Sequence, residues 1–298
     1  MVTLGLDVGG GSVKYAWREA DGSFTCGESV GYERPTAGAL GEAVRGALRG
    51  AGLMGEVGKV GKVGVCVPGV MSGDGRRVAS SVNMPGLAGV DVGAWASGLG
   101  LGVRDEDVVV RTDAWSAGVD YAAVRGVKGR LLALSLGTGV GAIVLDDGVA
   151  LKVSPPGAGM SSGHLGQMDV SMAVGDDGEG VPVGADGGRG SLEAYVGAAA
   201  LRARLSGDLR AGLARVGVDD PAVAALVRAL RIAHAIYRPD VVALLGGVGL
   251  GIGGLAGEIR SKVSEGLTGV ARPGWRLEVG VDAYHAARGV ARLAGEGN

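Results

Sequence analysis

Ser135-Leu136-Gly137-Thr138-Gly139-Val140-Gly141 follows one apolar run and leads into another, Ala142-Ile143-Val144-Leu145. The reading is strand, glycine turn, strand. Without Cβ atoms, the backbone N–H groups of such a turn can come close to a ligand. Successive N–H groups in a turn form a concave nest for anions. Thr138 adds a hydroxyl in its middle. The design suits a phosphate, and it makes this segment a pillar of the fold.

A second turn of the same kind lies near the beginning, in Leu4-Gly5-Leu6-Asp7-Val8-Gly9-Gly10-Gly11-Ser12-Val13-Lys14. Asp7 closes the apolar strand beside the glycines. A carboxylate next to a phosphate nest makes sense with a cation between them. Mg²⁺ is commonly held by one or two carboxylates plus substrate phosphates. A third glycine turn, Gly246-Gly247-Val248-Gly249, follows the continuously apolar Val241-Val242-Ala243-Leu244-Leu245, a strand expected to be buried on both faces. Glycine is 61 of 298 residues, so any one turn is weak evidence and the recurrence carries the weight.

The length allows two modest domains with real cores. Net charge is −2 and no dense Lys/Arg stripe occurs, which argues against nucleic-acid binding. No apolar run approaches the roughly 18 residues of a membrane span. No basic stretch followed by an apolar segment marks a secretion signal. Cys26 and Cys66 are too few for a disulfide framework, and Cys66, within Val63-Gly64-Val65-Cys66-Val67, reads as a small core residue. A soluble cytoplasmic protein is expected.

Apolar strand patterns fall near 2–7, 12–18, 63–67, 108–111, 131–135, 142–146, 241–245 and 276–280. Helical patterns fall near 36–52, 90–99, 114–125, 192–204, 206–215, 220–237, 253–267 and 283–294. The alternation predicts an α/β protein. One phosphate turn near residue 9 and another near 138 predict two domains with similar cores and a cleft between them. The expected boundaries are 1–112 plus a returning C-terminal helix, 281–298, and a larger domain, 113–280. Residues 172–190, rich in Gly and Asp without periodicity, read as a long exposed loop.

Asp113 follows Val108-Val109-Val110-Arg111 and opens a helical pattern. It reads as a helix N-cap, as a general base that orients a nucleophilic hydroxyl in phosphoryl transfer, or as both. Glu193, in Ser191-Leu192-Glu193-Ala194-Tyr195, favours a helix start and could accept hydrogen bonds from a polyol. His164 and Gln167 lie in a glycine-flanked loop. His234 and His285 lie in helical patterns and read as packing or surface residues.

Together these motifs resemble the ROK family of repressors and sugar kinases. Asp7-Val8-Gly9-Gly10-Gly11-Ser12-Val13-Lys14 is similar to its first phosphate motif, D-x-G-G-T-x-x-K, with Gly11 at the threonine position and Ser12 beside it to replace the hydroxyl in part. Val67-Pro68-Gly69 and Asn83-Met84-Pro85-Gly86 match its P-G and N-x-P-G elements. Thr112-Asp113-Ala114 matches N-D-A, whose Asp is the catalytic base. Leu136-Gly137-Thr138-Gly139-Val140-Gly141 matches the second phosphate motif, and Gly246-Gly247-Val248 the adenosine-side G-G-V. The resemblance implies the two-domain actin/hexokinase-like (ribonuclease H-like) fold, ATP and Mg²⁺ with Asp7 reaching the metal through water, and a homodimer.

The chain also departs from the family. Family kinases hold a structural Zn²⁺ through one His and three Cys. The corresponding positions here are Gln167, Gly184, Asp186 and Ser191, so no zinc site is expected. Of the positions that would line the sugar, Asp113 and Glu193 persist, while Thr112, His164 and Gln167 differ. Such a change alters recognition, because a site built for particular hydroxyls rejects others strongly.

The resemblance therefore implies an ATP-dependent kinase acting on a sugar or sugar-like polyol, with Asp113 as base. Glu193, His164 and Asn83 would orient the acceptor, and domain closure would exclude water. The rival is a non-catalytic sugar-binding protein. Family repressors carry a DNA-binding domain ahead of the first phosphate motif, and with Asp7 so early in this sequence none is expected.

Overall fold

The computed structural model describes residues 1–298 apart from 34, 83, 154–161, 172–179, 186, 206–207, 270, 272 and 297–298. The chain divides into two compact units: Met1–Asp120 with Lys152–Ser161 and Tyr284–Asn298, and Tyr121–Leu151 with Ser162–Ala283.

The first unit begins with strands β1 (Val2–Val8), β2 (Val13–Arg18) and β3 (Phe24–Glu28), then helix α1 (Ala37–Gly50) and strand β4 (Val60–Val67). A small hairpin, β5 (Val70–Met71) and β6 (Val78–Ser80), precedes α2 (Val92–Ser97), β7 (Val108–Thr112) and α3 (Asp113–Arg125). The sheet order is β3-β2-β1-β4-β7. β1, β4 and β7 run parallel, and β2 and β3 are antiparallel additions. α1 buries Leu40, Val44 and Leu48 at helical spacing in the core with β1 and β4.

The second unit carries β8 (Arg130–Leu136), β9 (Val140–Asp146), β10 (Val149–Ala150), α4 (Leu192–Val196), α5 (Ala198–Leu205), α6 (Leu209–Leu213) and α7 (Pro221–Tyr237). It continues with β11 (Val241–Leu245), α8 (Gly246–Gly251), α9 (Ala256–Glu265) and β12 (Arg276–Val279). Its sheet order, β10-β9-β8-β11-β12, repeats that of the first unit, again with a parallel trio, β8, β11 and β12. β11 is buried at every position, as its unbroken apolar run requires. Pro221 starts α7, and the Asp220 side chain caps it by accepting from the Ala222 N–H at 2.9 Å.

The last helix, α10 (His285–Glu296), belongs to the first unit and packs on β1 and β4. It approaches closely because small residues line the contact. A Cβ on Gly64 would stand 2.2 Å from the Val290 carbonyl oxygen, and one on Gly289 only 1.7 Å from that of Ser116 in α3. The fully buried Asp120 of α3 ties the helix down. It accepts from Arg288 Nε at 2.9 Å and Arg292 Nε at 2.8 Å, and lies 2.8 Å from His285 Nδ1. Burial pushes the Asp120 carboxyl up, but these partners outweigh it and hold the pKa below the ordinary value.

Several local expectations are corrected. The 192–204 pattern is two helices, because Gly197 leaves the helix with ψ 144° and hands its N–H to the Glu193 carbonyl. Gly246-Gly247-Val248-Gly249 is the first turn of α8, entered through Gly246 at φ +77°, where a Cβ would stand 2.5 Å from the Leu136 carbonyl oxygen. Within 172–190, residues 172–179 and 186 lie outside the described residues, but the remainder is not unpatterned. Val183 bridges Arg189, the Gly184 N–H bonds the Gly188 carbonyl, and the Gly190 N–H bonds that of Pro182. β3, β5, β6 and β10 have no strand pattern in the sequence: they are short, and β3 lacks clean alternation. Both helical histidines are buried, His285 in the Asp120 cluster and His234 against Trp275, ring centroids 4.3 Å apart. Among the described residues no helix is long and apolar enough to cross a membrane.

Candidate active site

In the first unit the carboxyl ends of the parallel strands bring the sequence motifs together. Asp7 on β1 pairs in register with Cys66 on β4, and Val67 pairs with Thr112 on β7, one residue before Asp113. Cys66 Sγ lies 3.6 Å from Asp7 Oδ1 and from the Leu6 carbonyl oxygen. Burial, then the charges of Asp7 and Asp113, push the Cys66 thiol well above its ordinary range. The sulfur therefore stays a protonated donor against the Asp7 carboxylate. Burial also raises the Asp7 carboxyl, with Lys14 and Cys66 opposing it.

The N-cap reading of Asp113 is corrected here. Asp113 is the first residue of α3, and the cap position belongs to Thr112, whose Oγ1 accepts the Trp115 N–H at 3.4 Å. The Ser116 hydroxyl adds a bond to the Thr112 carbonyl at 3.0 Å. The Thr112 side chain and carbonyl thus both take part in the helix start.

The first glycine turn is braced from outside. The Gly9 N–H bonds the Ser12 carbonyl at 3.0 Å, the Tyr32 N–H bonds that of Gly11 at 2.9 Å, and the Tyr32 hydroxyl bonds that of Gly9 at 2.7 Å. Gly10 lies within this braced segment. The Ser12 hydroxyl, expected to serve in place of the family threonine, donates to Glu28, and Lys14 Nζ lies 3.7 Å from the same carboxylate. A Cβ on Gly11 would meet nothing within 4 Å. Asn83 lies outside the described residues, next to Met84, whose N–H bonds the Ser81 hydroxyl at 3.2 Å.

The second unit repeats the arrangement. Leu245 on β11 is in register with Ser135 on β8, so Gly246 and Gly247 stand beside the turn at Gly137, Thr138 and Gly139. The Gly137 N–H bonds the Gly139 carbonyl at 3.0 Å, and the Gly137 carbonyl accepts the Ala198 N–H at 2.9 Å. Glu193 Oε2 accepts the Val140 N–H at 2.9 Å. His164 and Gln167, both exposed, bracket a short 3₁₀ turn at Leu165–Gln167. The Gly166 between them abuts the same carboxylate: a Cβ there would stand 2.8 Å from the Val140 carbonyl oxygen and 3.6 Å from Glu193 Oε2.

Among the described residues no group of three or more His, Cys, Asp or Glu could hold a metal ion. Of the positions compared with the family zinc ligands, Gln167 is exposed, Gly184 offers no side chain, the Ser191 hydroxyl caps α4 by accepting from Ala194, and Asp186 lies outside the described residues. A carboxylate such as Asp7, beside a glycine turn, is of the kind that could hold Mg²⁺ when nucleotide phosphates and water supply the remaining ligands.

The model of the ROK family matches residues 3–294. The chain belongs to the ROK family. No curated protein sequence matches it. Solved structures do. A ROK family glucokinase from Streptomyces griseus, in complex with glucose and AMPPNP, superposes with a TM-score of 0.73 at 20% identity over 100% of both chains. The ROK hexokinase of Thermus thermophilus gives 0.67 at 22% identity, again over 100% of both. A ROK transcriptional regulator, a homologue of the E. coli Mlc protein, gives 0.69 at 16% identity over 98% of this chain and 78% of its own. The likenesses establish the two-domain actin/hexokinase-like α/β fold of this ROK protein. Both kinases and regulators stand among its structural neighbours.

Glu28, Tyr32 and the role of Cys66 beside Asp7 had no signal in the sequence. Each acts through a partner brought near only by strand pairing or loop packing.

Proposed function

We propose that this ROK protein is an ATP-dependent kinase of a hydroxyl on a sugar or sugar-like polyol. The observation that supports it most is the strand register that brings Asp7 and the Thr112-Asp113 pair to the carboxyl ends of three parallel strands, where open α/β sheets place ligands. In this reading Asp113 accepts the proton of the acceptor hydroxyl as its oxygen bonds the γ-phosphorus, and the bond to the β-phosphate oxygen breaks to release ADP. The glycine turns at Gly9–Gly11 and Gly137–Gly139 grip the phosphates, and Gly246 and Gly247 border the nucleoside. Asp7 would hold Mg²⁺ through water, and the metal's chemistry is neutralisation of phosphate charge. Thr112, His164, Gln167, Glu193 and Asn83 orient the acceptor. The S. griseus relative's complex with glucose and AMPPNP supports the ligand class.

The test is ATP-dependent phosphorylation across hexoses, amino sugars and inositols, repeated with His164→Glu and Gln167→His combined. We expect turnover with at least one acceptor and a changed order of preference in the double variant. An unchanged order would remove these residues from specificity. The likeness to a regulator favours a second reading, non-catalytic sugar binding. Binding of ATP and a sugar with no phosphorylated product in any trial would decide for it.

A further inference from the structure

The segment from Glu193 to Ala198 is stitched to both ends of the second glycine turn. At the turn's exit the Val140 N–H donates to Glu193 Oε2 at 2.9 Å, and at its entrance the Gly137 carbonyl accepts the Ala198 N–H at 2.9 Å. Gly197, between them, is packed so closely that a Cβ would stand 3.3 Å from the Thr138 carbonyl oxygen. The loop of His164 and Gln167 leans on the same junction through Gly166. One side chain, Glu193, thus meets both the phosphate turn and the acceptor loop. Its position is not adventitious. The Ser191 hydroxyl caps α4 at 3.2 Å from the Ala194 nitrogen, and the Gly197 N–H closes α4 onto the Glu193 carbonyl at 2.9 Å.

A carboxylate accepting a backbone N–H makes a charge-assisted bond, stronger than a neutral one. Val140 begins β9, so fixing its amide fixes the point at which the glycine turn re-enters the sheet. Glycines lack side chains to hold their own shape, so their N–H groups stay aimed at a ligand only when something outside the turn anchors them.

We propose that Glu193 is a positioning residue for the second phosphate turn, and that nucleotide affinity depends on it even when no acceptor is bound. The inference deepens the kinase reading and rests on it for the identity of the anion. An acceptor ligand alone would have no such effect: its removal would slow turnover and weaken the acceptor while nucleotide affinity stayed put.

The full chain is compared with Glu193→Ala and Glu193→Gln in two measurements that need no turnover. Amide exchange at Val140 is followed by NMR, and Mg·AMPPNP affinity by calorimetry without any acceptor. Glu193→Ala should speed Val140 exchange by about tenfold to a hundredfold, the range for losing a hydrogen bond to a charged group, and weaken Mg·AMPPNP about tenfold. Glu193→Gln keeps a carbonyl oxygen in place but loses the charge, and should fall between wild type and Glu193→Ala in both. If Glu193→Ala does not fold, Glu193→Asp, one methylene short of Val140, takes its place. Wild-type exchange and wild-type nucleotide affinity in the shortened variant would overturn the inference. A wild-type protein that binds no Mg·AMPPNP, with Val140 still exposed in Glu193→Ala, would sink the kinase reading and the nucleotide dependence while leaving Glu193 as the anchor of the turn.

Discussion

Thr112 Oγ1 accepts the backbone N–H of Trp115 at 3.4 Å, one residue before the candidate base Asp113. Asp113→Asn should leave the melting temperature close to wild type and lower turnover at least about a hundredfold, the lower end for general acid–base catalysis. Thr112→Ala should cost about 1 kcal/mol of stability, as for other lost caps. Thermal melts and kcat on both variants check this. Near-normal kcat for Asp113→Asn with a true acceptor would remove Asp113 from the chemistry.

Gly11 occupies the place of the family threonine in the first phosphate motif, and a Cβ there would meet nothing within 4 Å, with φ outside the left-handed region. The Ser12 hydroxyl is taken up by Glu28. Gly11→Thr should therefore fold normally and add a hydroxyl at the turn. The expected result is a KM for Mg·ATP lowered about threefold to tenfold, the worth of one hydrogen bond. An unchanged or raised KM at unchanged melting temperature would show that the missing hydroxyl is not needed here.

Purified protein should contain no stoichiometric zinc, and chelators should not shift its melt. The reason is chemical: Gln167, Gly184 and Ser191 offer neither thiolate nor imidazole, and the Ser191 hydroxyl already caps α4. Elemental analysis finding about one zinc per chain would contradict this.

His234 is buried against Trp275, neither ring nitrogen hydrogen-bonds among the described residues, and burial pulls its pKa from 6.5 to about 4. Between those values the unfolded chain takes up a proton that the folded one refuses. The penalty is absent above 6.5 and grows as pH falls toward 4. His234→Phe removes it. Melting temperatures at pH 7 and pH 5 should show wild type losing more stability than the variant, and equal losses would place the pH sensitivity elsewhere.

Much of the fold was legible because its signals are local. Val241–Leu245 is apolar at every position and became a central strand; Leu40, Val44 and Leu48 repeat at helical spacing and became a buried helix face. Gly197 was not legible as a helix break, since a helical pattern continues through Ala198-Ala199-Ala200 on its far side and only its extended ψ ends α4. The glycines after β11 read as a turn because their helical start depends on Gly246 adopting positive φ against Leu136, a residue from another strand.

By itself the sequence determined the α/β class, the glycine turns after apolar strands and the motifs that mark the ROK family, since each depends on residues within a few positions of one another. Tertiary structure alone decided who meets whom. Val140 and Glu193 are 53 residues apart and Asp7 and Cys66 are 59, yet each pair meets through a side-chain hydrogen bond. Those contacts follow from strand register and from how a short helix seats on a turn. A hydrogen bond has a reach of about 3 Å, and no periodicity in the chain encodes where two distant backbones come that close.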